Sequence, residues 1–122
     1  MRKLKTLSMI TLAACASGCS TPGDVRSTSP IYEATSSKSA KSVAGCVADK
    51  FELSFRSGVN SRPTSNGYSV WKEDDMGLYG KVTGLVVDID DSSSGSSIRF
   101  YSKGALSSAK DTVLRALDEC KR

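Results

Sequence analysis

The stretch Leu85-Val-Val-Asp-Ile89 is the most strand-like sequence in this chain, because aliphatic and β-branched side chains suit the surface of a pleated sheet. It predicts a strand that begins at about residue 78 or 81 and ends at residue 90. The serine-rich stretch 91–96 reads as a turn, and the alternation of apolar and polar residues over 97–102 predicts the next strand. The sequence therefore predicts two neighbouring antiparallel strands here.

Upstream of this pair, the dipeptide Asn66-Gly67 separates two further extended stretches, 59–63 and 68–72. Asn-Gly between such stretches is a strong hairpin signal, since a type I′ turn requires positive φ at both central residues. Pro63 predicts that its strand lies at an edge of the sheet or ends there. Trp71 is expected to be partly exposed.

A helix with one apolar face is predicted on each side of the four strands. The apolar spacing follows a helical period at Val43, Cys46, Val47, Phe51 and Phe55, and again at Leu106, Ala109, Val113, Leu117 and Cys120. Short connections make the strands antiparallel neighbours. The predicted fold of residues 38–122 is therefore α+β, a two-layer helix–β–β–β–β–helix sandwich with both helices on one face of an antiparallel sheet.

Cys46 and Cys120 each occupy the apolar stripe of a predicted helix. If the two helices pack side by side, the two sulfurs face each other. An oxidising compartment permits a disulfide between them, and we predict this bond. The alternative is a pair of buried free thiols.

The first twenty residues have the pattern of a secretory signal that ends at a lipidation cysteine. Positive charges lie within residues 1–5, an apolar run covers 6–14, and small residues lead into both Cys15 and Cys19. Cleavage before Cys19 leaves one cysteine pair in the mature chain, whereas cleavage before Cys15 leaves an odd thiol. We expect the lipid on Cys19, with Cys15 as the alternative and a signal without lipid as a further one.

The remaining composition limits what the mature protein does. Residues 1–18 are assigned to the signal peptide, 19–37 to a lipidated flexible tether rich in Ser, Thr, Pro and Gly, and 38–122 to the globular domain. Beyond the signal, 14 basic residues face 13 acidic ones and there is no histidine. A nearly neutral chain without a basic tract gives no basis for binding nucleic acid.

The acidic and serine-rich segments do not match a catalytic or metal-binding pattern. Asp88, Asp90 and Asp91 resemble cation ligands, but the glycine and glutamate that an EF-hand loop needs are missing, so a solvated turn is expected. No catalytic residue, metal or cofactor is predicted. Trp71 and Tyr101 are expected to face outward on the sheet, where they form a candidate partner patch unless they simply pack on each other across strands.

Four pieces of the chain carry a resemblance to a known group of proteins. They are Gly18-Cys-Ser-Thr-Pro-Gly-Asp24, Val43-Ala-Gly-Cys-Val-Ala48, Arg62-Pro-Thr-Ser-Asn-Gly-Tyr-Ser-Val70 and a last helix that ends in Cys120. In this order they resemble small uncharacterised proteobacterial membrane lipoproteins with one disulfide. The resemblance supports Cys19 as the anchor and implies no enzymatic activity.

The sequence therefore predicts a non-catalytic outer-membrane lipoprotein, held on the periplasmic side by N-terminal acyl chains such as palmitate. Stable anchoring requires two or more such chains. Its expected role is structural, or the binding of another envelope protein. The alternative is a small-ligand-binding module or an inhibitor of an exogenous hydrolase.

Overall fold

The computed structural model describes residues 20–122, and the proposed lipidation residues Cys19 and Cys15 lie outside the described residues. The described chain forms three α-helices, five β-strands and a short 3₁₀-helix. Their bounds are α1 Pro22–Arg26, β1 Tyr32–Ser36, α2 Ala40–Phe55, β2 Val59–Pro63, β3 Gly67–Asp75, the 3₁₀-helix Gly77–Tyr79, β4 Lys81–Ser92, β5 Gly95–Ser102 and α3 Ser107–Cys120.

The strands form one antiparallel sheet in the order β1-β5-β4-β3-β2, so the predicted α+β class is confirmed. The stretch 85–89 lies within β4, the middle strand. Pro63 is the last residue of β2, which is an edge strand. This agrees with the expectation for a residue that lacks a backbone N–H.

The flexible tether predicted for 19–37 is wrong for the part that the structure describes. Residues 22–26 form α1, and residues 32–36 form β1, which pairs with β5 from Tyr32 opposite Phe100 to Ser36 opposite Ser96. The sheet consequently has five strands instead of the predicted four. Tertiary contacts give this short, polar segment a structure that its composition alone does not indicate.

Helix α1 is short but has a complete N-terminal cap. The Thr21 hydroxyl accepts a hydrogen bond from the backbone N–H of Asp24, and the Asp24 carboxylate accepts one from the backbone N–H of Thr21, which is a capping box. This backbone hydrogen bond, with a second one from the Thr21 hydroxyl, lowers the pKa of Asp24. Pro22 occupies the first turn, where a missing N–H is tolerated.

The hairpin predicted at Asn66-Gly67 is present between β2 and β3, but glycine has another role there. The backbone N–H of Thr64 donates to the carbonyl of Gly67 at 2.8 Å, and neither Asn66 nor Gly67 has positive φ. A Cβ on Gly67 would lie 2.0 Å from the carbonyl oxygen of Ile89. Glycine is therefore needed because β4 passes so close.

The main hydrophobic core lies between the sheet and the two longer helices. Its largest fully buried side chains are Val43, Val47 and Phe51 of α2, Val70 of β3, Val87 and Ile89 of β4, Ile98 and Phe100 of β5, and Val113 and Leu117 of α3. Helix α2 lies directly on β2 to β5, whereas α3 packs chiefly against α2. The side chains of α3 that face inward reach the same core.

The predicted disulfide between Cys46 and Cys120 is confirmed. The two Cα atoms lie 5.7 Å apart, within the usual range for such a bond. Cys120 is completely buried and Cys46 is partly buried against the core. The bond joins α2 to the last residue of α3.

Candidate functional site

The face of the sheet opposite the main core carries the two aromatic residues predicted as a partner patch. Trp71 and Tyr101 do lie together there, in a second cluster with Val86 of β4. However, Val25 of α1 packs on this cluster, and Tyr101 is only 6% exposed. The open aromatic patch is therefore a wrong prediction, because the segment expected to be a tether folds across it.

Beside this cluster lies a polar cleft of about 330 Å³. It lies between α1, the β2–β3 turn and the outer faces of β4 and β5. The side chains that matter most for its chemistry are Arg26, Arg62, Arg99, Asp88, Asp90 and Trp71. We call this group the arginine cleft.

One wall of the arginine cleft is a side-chain network that fastens α1 to the sheet. The Arg26 guanidinium donates to both carboxylate oxygens of Asp88, at 2.7 and 3.0 Å, and to the Ser69 hydroxyl at 2.6 Å. Ser69 in turn donates to Asp88 at 2.8 Å. Because the carboxylate of Asp88 is nearly buried, this bidentate pairing satisfies a group that would be costly to leave alone.

A second arginine–carboxylate pair lies directly beside the first, since Arg99 of β5 is opposite Asp88 of β4 in the strand register. The guanidinium of Arg99 donates to Asp90 at 2.6 Å. Burial opposes the charge on Arg99, but Coulombic interaction with Tyr101, Asp90 and Asp88 raises the pKa of its guanidinium overall. Arg99 is therefore a permanent cation in the cleft.

Arg62 is the arginine of the cleft that has no acidic partner within the part of the chain that the structure describes. Its side chain makes no hydrogen bond or ion pair with any of residues 20–122, and it is exposed on the edge strand β2. The two carboxylates of the cleft are already bound to Arg26 and Arg99. The cleft therefore has one uncompensated positive charge, carried by a planar donor that matches a carboxylate.

Trp71 gives the arginine cleft an aromatic wall. It is partly exposed, as predicted, and its indole N–H donates to the Glu73 carboxylate at 2.9 Å. This hydrogen bond fixes the ring while leaving part of its surface open to the cleft. An aromatic surface beside a free guanidinium suits a ligand that combines a carboxylate with an apolar or planar part.

The three aspartates considered as cation ligands have protein partners instead. Asp88 and Asp90 bind arginines, and Asp91 accepts a hydrogen bond from the backbone N–H of Ala40 at 3.0 Å, at the N-terminus of α2. No group of three or more metal-ligating side chains is gathered anywhere in the described chain. The expectation of a merely solvated turn missed these contacts.

The arginine cleft was not predicted from the sequence. Arg62 and Arg99 have the outward orientation that strand alternation gives, but Arg26 belongs to the segment read as a tether. The signal that was available is Thr21-Pro-Gly-Asp24, a capping-box pattern with proline in the first turn. That pattern indicates a helix start, with Arg26 in its last turn.

Comparison of the chain with protein-family models, with curated proteins and with solved structures finds no significant match. Within the described residues, no helix has the length and apolar character needed to cross a bilayer.

Proposed function

We propose that this protein is a non-catalytic outer-membrane lipoprotein that binds another envelope protein through the arginine cleft. The leader pattern that ends at Cys19 supports the anchor. The disulfide is the chemistry of an oxidising compartment, which agrees with export. The observation that carries the binding role is Arg62, a guanidinium that has no acidic partner among residues 20–122 and lies beside two arginines that are already paired.

The proposed partner presents a carboxylate, from an acidic side chain or a chain terminus, to Arg62. Asp88 and Asp90 do not repel such a group strongly, because each is neutralised by its own arginine. Trp71 packs against the apolar part of the same segment. Arginine and tryptophan are the residue types that most often dominate binding energy at protein interfaces.

A small acidic ligand is the second candidate, and one observation favours it. The cleft volume of about 330 Å³ falls at the lower end of the range of small-molecule sites. Both candidates use the same free guanidinium. They differ in whether a carboxylate-bearing small molecule alone occupies the cleft.

The anchor is tested by metabolic labelling with radioactive palmitate in a bacterium that expresses the full chain. We expect a labelled mature protein in the outer-membrane fraction, and we expect Cys19→Ala to abolish the label because the acceptor thiol is gone. Cys15→Ala is the matched control and should leave labelling unchanged. Loss of label in Cys15→Ala but not in Cys19→Ala would move the anchor to Cys15. Absence of label from the unsubstituted protein would refute the lipoprotein assignment.

The binding role is tested with a photoreactive residue at Ser65, on the exposed rim of the arginine cleft, in the full-length protein in intact cells. We expect one specific crosslinked adduct, weakened about tenfold by Arg62→Glu, since a charge-assisted hydrogen bond is worth 1.5–3 kcal/mol. Lys41→Glu, the same charge reversal on the exposed start of α2, should have no effect.

An adduct that is equally strong in both variants would contradict binding through the cleft. The small-ligand candidate predicts a different result, a shift of the Trp71 indole N–H resonance when small dicarboxylates are added. If that shift is lost in Arg62→Glu and no protein adduct forms, the second candidate replaces the first.

A further inference from the structure

The β3–β4 connection exposes three large apolar side chains at one end of the sheet. Met76 is 53% exposed, Tyr79 is 76% exposed and Leu78 is fully exposed. The turn is tight, since the backbone N–H of Met76 donates to the carbonyl of Gly80 at 2.8 Å and Gly80 has a φ of 81°. We call residues 76–80 the apolar tip. Grouped exposed apolar side chains of this kind mark a site of contact with a protein or a membrane.

The start of the described chain lies at the same end of the sheet. The backbone N–H of Thr83 in β4 donates to the carbonyl of Ser20 at 2.8 Å. Thr83 is three residues from Gly80, which is about 10 Å along a strand. Ser20, the residue that directly follows Cys19, is therefore held close to the apolar tip.

The position of Ser20 is fixed by more than this one hydrogen bond. The capping box at Thr21 and Asp24 orders the next turn of chain, and Val25 is completely buried on the outer face of the sheet. Arg26 then holds α1 to Asp88. The residues that follow Cys19 are therefore part of the folded domain and do not form a flexible linker between the domain and its anchor.

We propose that the apolar tip inserts into the same membrane that holds the acyl chains of Cys19, so that the domain lies directly against the bilayer. This inference rests on the proposed lipid anchor. The anchor brings the membrane surface to within one residue of Ser20 and keeps the tip at a high effective concentration beside it. Asp75 and Lys81, which pair across the base of the tip, would lie at the level of the lipid headgroups.

This orientation directs the arginine cleft away from the membrane. Strand β4 has 12 residues and spans about 40 Å. The apolar tip precedes its first residue, while the β2–β3 turn that lines the cleft contacts its other end, where the backbone N–H of Asp91 donates to Asn66 at 2.8 Å. The membrane contact and the binding cleft therefore belong to opposite ends of the sheet.

The test uses the mature acylated protein in vesicles of phosphatidylethanolamine and phosphatidylglycerol whose acyl chains carry bromine, a quencher of tryptophan fluorescence. In a Trp71→Phe background, Leu78→Trp reports on the apolar tip. Ser93→Trp is the matched control, an exposed position in the turn at the other end of β4. We expect the brominated lipids to quench Trp emission at least about twofold in Leu78→Trp, since apolar side chains at an interface bury below the headgroups, and to leave Ser93→Trp unchanged.

Equal and weak quenching in both variants, with the protein still bound to the vesicles through its lipid, would overturn the insertion of the tip and point to a protein partner for it. Failure of both variants to bind the vesicles, together with no palmitate label, would instead refute the lipid anchor. The two failures are thereby distinguished.

Discussion

Replacing Cys46 and Cys120 together by serine is expected to lower the free energy of unfolding by about 2–4 kcal/mol. The disulfide spans a sequence separation of 74 residues. For a loop of that length, the chain-entropy model gives about 4.5 kcal/mol as an upper value. In a domain of this size, the loss corresponds to a fall in melting temperature of about 10–20 °C.

The position of α3 explains why this bond matters so much. Helix α3 packs chiefly on α2 and contributes Val113 and Leu117 to the core from its inner side. The disulfide joins the end of α3 to the middle of α2. We expect the amide protons of α3 to lose protection from hydrogen exchange first when the bond is absent.

Urea unfolding followed by circular dichroism measures the loss in the free energy of unfolding. The wild-type protein in reducing agent provides the control. Reduction should bring the wild type down to the stability of the Cys46→Ser, Cys120→Ser variant, and it should not affect the variant. A wild type whose free energy of unfolding in urea does not change when a reductant breaks the bond would show that the domain does not depend on the disulfide.

The disulfide and the central sheet were predictable because the relevant signals are local and periodic. Cys46 and Cys120 fall on helical apolar stripes, and residues 97–102 alternate as a half-buried strand does. Pro63 indicated that its strand lies at an edge of the sheet, because proline has no backbone N–H to donate. In each case a few residues carry the local signal, and the disulfide requires in addition that the two helices pack side by side.

The segment after the proposed anchor was not predictable from its composition, because tertiary contacts determine its structure. Helix α1 has five residues and β1 has five, both too short to be stable alone. Val25 becomes a core residue only because the sheet offers it Val86 and Tyr101. The average composition of this segment, which is rich in Ser, Thr and Pro, does not indicate that one of its residues, Val25, is completely buried.

The arginine cleft was missed for the same reason. Arg62 comes from β2, Arg99 from β5 and Arg26 from α1, so the site exists only after α1 has docked. The outward position of Trp71 was predicted, but the covering of Tyr101 was not. Strand alternation gives the face on which a side chain lies, and it does not indicate what packs against that face.

Replacing Val25 by aspartate therefore has the second-largest expected effect, a loss of about 3 kcal/mol in the free energy of unfolding. Burial of a valine contributes about 1.5–3 kcal/mol, and a carboxylate without a partner adds the cost of removing it from water. We expect the segment 20–37 to leave the sheet while the main core stays folded. Emission from Trp71 should then shift to longer wavelength, because α1 no longer covers its cluster.

Ser29→Asp is the matched control, since it adds the same charge at an exposed position of the same segment and should leave both stability and emission at wild-type values. The ion pair between Arg26 and Asp88 offers a second readout, because Arg26 reaches Asp88 only when α1 is docked on the sheet. Loss of α1 would leave the nearly buried Asp88 with Ser69 as its remaining partner, and protection of the β4 amides around it should decrease. If Val25→Asp instead behaves like its control, α1 does not dock in solution, and neither the arginine cleft nor the fixed position of Ser20 beside the apolar tip survives.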